Sequence, residues 1–163
     1  MKKGFRILKF KKDRPIFEVK DISKSFDGRP ILKKLSIKVF PGECVGILGP
    51  NGCGKTTLFS MCIGEQNPES GKIFLNNKAI DQIPIHLRSK EGLGYLPQQR
   101  SVFNMSVYDN ILGIAQISIK GVENQKAVTE KLLDEFNLQH LRSLNASVLS
   151  GGEIGRLMMA RVM

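Results

Sequence analysis

Gly49-Pro50-Asn51-Gly52-Cys53-Gly54-Lys55-Thr56-Thr57 stands between the apolar run Cys44-Val45-Gly46-Ile47-Leu48 and a helix-compatible stretch that begins at Thr57. The nonapeptide fits G-x-x-x-x-G-K-[ST] through Gly49, Gly54, Lys55 and Thr56, and a strand before with a helix after is the context that pattern needs. Glycines let the backbone close around a polyphosphate with successive N–H groups turned inward. The following helix presents its positive end to the same anion. Lys55 can then reach the β- and γ-phosphates, and the Thr56 hydroxyl can ligate Mg²⁺. The other reading, a glycine-rich turn that happens to contain Lys-Thr, does not account for the flanking strand and helix.

The rest of the composition sets limits. A chain of 163 residues and 18.2 kDa is the size of one domain, and 41% hydrophobic with 25% charged residues reads as a globular protein. No apolar run is long enough to span a bilayer. The formal net charge of +10 raises nucleic acid or an anionic membrane surface as partners. Much of the excess is local: Lys2, Lys3, Arg6, Lys9, Lys11, Lys12 and Arg14 precede Pro15 with only Asp13 against them. With no continuous apolar core behind it, this is not a secretory signal. It reads as a solvated basic extension over 1–15 or as a membrane or partner contact. Cys44, Cys53 and Cys62 follow no metal-ligand pattern and suggest reduced thiols in the cytosol.

Outward from the loop, Ile16–Ile22 and Leu35–Val39 alternate apolar and polar residues as half-buried strands do, with turns at Asp27-Gly28 and Pro41-Gly42. A small antiparallel sheet is expected ahead of a phosphate-loop strand at Cys44–Leu48. Helix is expected over Thr57–Ile63, strand at Lys72–Leu75, and a short buried strand at Leu93–Leu96 that delivers Gln98 to a loop. Val107–Ile117 and Val122–Asn137 carry helical patterns; in the second, Val128, Leu132, Leu133 and Phe136 share a face. Leu132-Leu133-Asp134-Glu135 superficially resembles the end of a metal-binding strand. Its helical spacing assigns those carboxylates to a solvated face instead. Leu149-Ser150-Gly151-Gly152-Glu153 then opens a further helix, a second anion-binding terminus.

Phosphate loop, Gln98 and Leu149–Glu153, in this order, resemble the nucleotide-binding domains of ATP-binding cassette (ABC) transporters, from about Phe17 to the last residue. The resemblance implies an α/β fold of the P-loop nucleoside triphosphate hydrolase class. An N-terminal antiparallel β subdomain and a helical subdomain at about 100–150 would lie within a partial domain over 16–163. It also implies an ATP site built from Phe26, Gly49, Pro50, Asn51, Gly52, Cys53, Gly54, Lys55, Thr56 and Thr57. Phe26 matches the aromatic position that stacks on adenine, although a core Phe is the other reading. Gln98 matches the residue that reaches Mg²⁺ and the attacking water, and its loop meets the transmembrane partner. Lys55 and Gln98 are thus the implied catalytic residues, and Thr56 with Gln98 the implied metal ligands. Leu149, Ser150, Gly151, Gly152 and Glu153 match the signature that contacts the ATP of the opposite subunit, with Glu where many members have Gln.

Within that family, Glu91–Gln98, Ser101–Phe103, Ser106–Asn110, Ile83–Arg88 and Leu149–Glu153 are similar to the ATPases of lipopolysaccharide export systems. Branched-chain amino acid importers are the nearest alternative and often carry Glu at the Gln98 position. The resemblance implies a homodimer that sandwiches ATP, permease subunits contacted near Gln98, Arg100, Val102 and Phe103, and a place on the cytoplasmic face of the inner membrane. Nucleic-acid-associated relatives usually carry a second cassette or a long coiled-coil insertion, and neither is present here. Working members continue into an apolar strand ending in Asp-Glu and a later His; after Ser150 the only carboxylate here is Glu153. The expectation is a fragment whose core is incomplete at its C-terminal side, able to contact nucleotide but not to turn it over.

Overall fold

The computed structural model describes residues 14–99 and 101–163, which form two compact units divided between Leu93 and Gly94. The basic extension up to Asp13, and Arg100 beside the Gln98 loop, lie outside the described residues.

The first unit is built on a four-stranded antiparallel sheet. Its strands are β1 (Phe17–Phe26), β2 (Arg29–Val39), β3 (Ser70–Leu75) and β4 (Lys78–Ala79), in the order β2-β1-β3-β4. Both long strands extend beyond their alternating segments because Asp27-Gly28 closes a two-residue hairpin, pairing Phe26 with Arg29. Both turn residues have positive φ, 48° and 74°, the geometry whose twist suits such hairpins. A bulge at Asp21 (φ 51°) breaks the alternation, so Val19 and Ile22 are the residues buried. Opposite that bulge Gly71 is required: a Cβ there would lie 2.5 Å from the backbone of Asp21.

Helix α1 (Lys55–Ile63) lays Leu58 and Met61 into a cluster with Val19, Ile22, Ile73, Leu75 and Ile80. Each such side chain contributes about 1.5–3 kcal/mol relative to exposure. This packing fixes the axis of α1, and its N-terminus continues directly from the phosphate loop. A short helix, α2 (Ile85–Arg88), carries Arg88 into the interior.

The second unit is helical: α3 (Val107–Ser118), α4 (Val122–Glu135), two 3₁₀ turns at Gln139–Leu141 and Ala146–Val148, and α5 (Gly151–Val162). Val107, Ile111, Leu133, Leu138, Leu157 and Ala160 are among its core residues, with Leu132 and Phe136 packed against them. Asp134 and Glu135 are exposed, as the helical spacing of α4 predicts.

Two expected strands do not form. Cys44–Leu48 and Leu93–Leu96 form no regular element, and among the described residues no strand supplies either with ladder partners. The expectation that Leu93–Leu96 is buried is likewise corrected, since Tyr95 and Leu96 are exposed. Apolar sequence alone makes a segment competent for a sheet; hydrogen-bonded neighbours on both sides make it a strand. Leu48, 96% exposed, shows how little covers the first of these runs.

Candidate functional site

Gly54 caps α1 in the left-handed region (φ 96°), and no side chain caps the helix. A Cβ at Gly54 would meet Ile31 at 2.8 Å and Leu32 at 3.0 Å, so the hairpin side chains of β2 press directly on the base of the loop. Only glycine satisfies both the backbone angle and this close approach. At the loop's other end, a Cβ on Gly49 would lie 2.7 Å from the Cys53 sulfur.

Lys55 folds back over the loop. Its ammonium donates to the Gly49 carbonyl at 2.7 Å and the Pro50 carbonyl at 2.8 Å, with the Cys53 sulfur at 3.8 Å. A single cation therefore holds the rim in a closed curve while α1 points its N-terminus at the hollow. These residues fit a polyphosphate: the helix end has no internal side-chain acceptor, the dipole favours an anion, and Lys55 can exchange carbonyls for phosphate oxygens. Thr56 is exposed on the first turn of α1. Among the described residues no group of three His, Cys, Asp or Glu could hold a metal ion, so a cation here would draw its ligands mainly from phosphate oxygens and water.

Phe26 lies in the same unit at the hairpin end of β1, 44% exposed, with the Lys24 ammonium 5.7 Å from its ring centre. It is a surface aromatic and not a core residue. A face open to solvent is available to a planar ring.

In the second unit, Gln98 sits exposed in an irregular segment. The chain beyond it is tightly held from Ser101 onward. The amide of Asn110, fully buried at the start of α3, accepts from the Phe103 N–H at 2.8 Å. It donates to the carbonyls of Phe103, Met105 and Ser106 at 3.0, 3.2 and 3.0 Å. Arg161, near the end of α5, donates to the Ser101 carbonyl and lies over the Phe103 ring.

Ser150 is the N-cap of α5, with Gly151 and Gly152 exposed behind it and Leu149 buried in the helical core. Both the N–H and the hydroxyl of Ser150 donate to one oxygen of Glu153, at 2.7 and 2.6 Å. Those two bonds hold the Glu153 carboxyl below the usual carboxylate range, aided by the positive charge of Arg156.

Residues 32–163 match the family model described as ABC transporter. The chain belongs to the ABC transporter family. It is 40% identical over 146 residues to the lipopolysaccharide export system ATP-binding protein LptB of Escherichia coli (strain K12), covering 88% of this chain and 61% of that protein. With the Acidithiobacillus ferridurans protein of the same description, identity is 42% over 150 residues, covering 91% of this chain and 62% of the relative. Among solved structures, cbiO1 from Clostridium perfringens, part of the ABC transporter complex cbiONQ, superposes with a TM-score of 0.83 at 28% identity. That match covers 92% of this chain and 61% of that one. The chain thus spans about six-tenths of the length of the relatives it matches.

Against this ABC framework, the first unit carries the phosphate loop with Phe26, and the second carries Gln98 and the signature segment. Three residues with structural work near these motifs gave no clear signal in the sequence: Arg88, Asn110 and Arg161. Arg88 and Asn110 fall within segments that resemble the export ATPases, but a buried Arg or Asn is recognised only by the carbonyls that converge on it. No helix among the described residues is long and apolar enough to cross a membrane.

Proposed function

We propose that this chain is the nucleotide-binding portion of an ABC transporter ATPase of the lipopolysaccharide export type. The observation that carries the reading is the phosphate loop. An uncapped helix N-terminus is fixed by hairpin side chains, with the Lys55 ammonium held across the rim. Gly49, Pro50, Asn51, Gly52, Cys53, Gly54, Lys55, Thr56 and Thr57 would hold the phosphates of ATP, with Phe26 against adenine. Mg²⁺, when bound with the nucleotide, would neutralise phosphate charge, with Thr56 as a protein ligand and Gln98 assigned to the cation and the attacking water. Leu149, Ser150, Gly151, Gly152 and Glu153 would face the ATP of a second copy in a homodimer.

The activity proposed for the whole protein is ATP hydrolysis coupled to export of lipopolysaccharide. Permease subunits would be met through the Gln98 loop, at the cytoplasmic face of the inner membrane. Support for this subgroup is the 37–42% identity to its curated members together with Gln98. A branched-chain amino acid importer is the alternative; Gln98 disfavours it.

Nucleotide titration of Lys55→Ala and Gln98→Ala tests the assigned roles. Loss of the Lys55 ammonium removes a charge-assisted contact worth about 1.5–3 kcal/mol, roughly tenfold to a hundredfold in affinity. Gln98→Ala should leave binding nearly intact and lower turnover of the whole protein. Equal binding loss in both variants would contradict this division of labour.

A further inference from the structure

We propose that Glu153 is a built-in competitor for the phosphate assigned to Ser150, keeping the signature segment capped by its own carboxylate until nucleotide displaces it. The inference rests on the homodimer reading above, which sets Glu153 toward the ATP of a second copy but assigns its carboxylate no chemistry there.

A single Glu153 oxygen takes both donors of Ser150, the N–H at 2.7 Å and the hydroxyl at 2.6 Å. A hydroxyl has one proton, so Ser150 can donate it to Glu153 or to a phosphate oxygen, never to both. The N–H is under the same constraint in practice. Glu153 also places a negative charge in the first turn of α5, the position where the helix dipole favours an anion, so the helix end is already partly neutralised from within. An approaching γ-phosphate therefore meets occupied donors and a like charge.

The surroundings keep this charge in place. The two Ser150 bonds are the principal causes that hold Glu153 ionised, and the cationic Arg156, three residues on, acts in the same direction, as does His140. Gly151 and Gly152 are exposed and have no side chains to obstruct the exchange. A glutamine at 153 would retain an acceptor oxygen for the cap, carry no charge, and offer an amide donor to an incoming phosphate. Glu in place of Gln thus raises the nucleotide concentration at which two copies close. Glu153 is a positioning residue acting through Ser150.

The test is nucleotide-dependent dimerisation of the whole protein, monitored by sedimentation with a hydrolysis-resistant ATP analogue. Wild type, Glu153→Gln and Glu123→Gln are compared. Glu123 provides the control, because it is an exposed first-turn carboxylate of α4 and its change removes the same charge. Glu153→Gln should dimerise at about fivefold lower nucleotide concentration. Glu123→Gln should match wild type, and binding to dilute monomer should be the same in all three.

An unchanged or raised midpoint for Glu153→Gln overturns the proposal, and so does an equal shift in Glu123→Gln, which would assign the effect to net charge. Should Glu153→Gln lose helical dichroism, Glu153→Asp replaces it. The shorter arm frees the Ser150 hydroxyl while keeping a good first-turn residue, so the midpoint should again fall, and an unchanged one overturns the proposal. Absence of any nucleotide-dependent dimer overturns the homodimer reading and this inference with it; a wild-type dimer insensitive to residue 153 overturns only the inference.

Discussion

The guanidinium of Arg161 lies 4.2 Å from the ring centre of Phe103, and the same group donates to the Ser101 carbonyl, so the end of helix α5 is tied to the segment beyond Gln98. Sixty residues separate the two ends of this tie. Phe103 keeps 44% of its surface exposed, whereas its backbone is clamped by Asn110. A displacement of α5 has a direct mechanical route to a surface aromatic.

A double-mutant cycle reads the strength of this tie. Arg161→Met loses both the stacking, about 0.5–2 kcal/mol, and the bond to Ser101. Phe103→Leu loses only the stacking. The two changes should be non-additive by about 0.5–2 kcal/mol in urea unfolding, and a sum equal to the single effects within error would show that the contact carries no energy.

Arg88 offers a larger effect. Its guanidinium donates from Nε to the Ile83 carbonyl at 2.6 Å, from Nη1 to Met61 and Cys62 at 2.7 and 2.8 Å, and from Nη2 to Asp81 at 3.0 Å. Two of these acceptors belong to the last turn of α1, the negative end of the helix that starts at the phosphate loop. Arg88→Leu leaves four carbonyls without their donor and should cost about 3 kcal/mol or more in urea unfolding. Arg88→Lys should recover little, since a compact ammonium cannot span four acceptors in a plane. A loss below about 1 kcal/mol for Arg88→Leu would mean that the carbonyls find other partners.

These two arginines mark the boundary of what the sequence makes legible. Local signals in the chain were readable: the glycines and Lys55 of the phosphate loop, the Asp27-Gly28 hairpin, the 3.6-residue period of α4, and Ser150 opening α5. Each depends on neighbours within a few residues. Arg88 and Arg161 gain their meaning from carbonyls and rings 5 to 60 residues away, which no local pattern encodes. Cys44–Leu48 and Leu93–Leu96 failed for a related reason. Their apolar composition was visible, but strand formation depends on a partner, and among the described residues none is there to pair with them.

Acid should act through Glu130. The Gln139 amide donates to it at 2.8 Å and the Arg142 guanidinium at 2.9 Å, and these hold its carboxyl below the usual range, the Gln139 bond most strongly. A folded-state pKa below the unfolded value means stability that is fully present above the unfolded carboxylate range and is lost as pH falls through the folded pKa. The pair is half-exposed, with side chains 46% and 43% accessible, so the contribution is about 0.2–1 kcal/mol at neutral pH. Glu130→Gln should therefore melt slightly lower than wild type at pH 7, and the gap should close as pH drops below about 4. A gap that persists at pH 3 would assign the effect to packing.

The three thiols should separate by chemistry and by nucleotide. Burial pushes the Cys62 thiol up to about 11, with the charge of Arg88 pulling the other way, whereas Cys44 and Cys53 are exposed. At pH 8 the thiolate fraction at Cys62 is roughly a hundredfold smaller than at an ordinary cysteine, and access is poor as well. Alkylation read by mass spectrometry should show two fast modifications and one that waits for unfolding. Of the fast pair, only Cys53 lies within the phosphate loop, its sulfur 3.8 Å from the Lys55 ammonium. A polyphosphate drawing Lys55 from the Gly49 and Pro50 carbonyls would cover that sulfur, so ATP should slow labelling of Cys53 and leave Cys44 unaffected. Equal protection at both positions would point to a global tightening of the fold, and an unchanged rate at Cys53 would argue that the loop does not close on nucleotide.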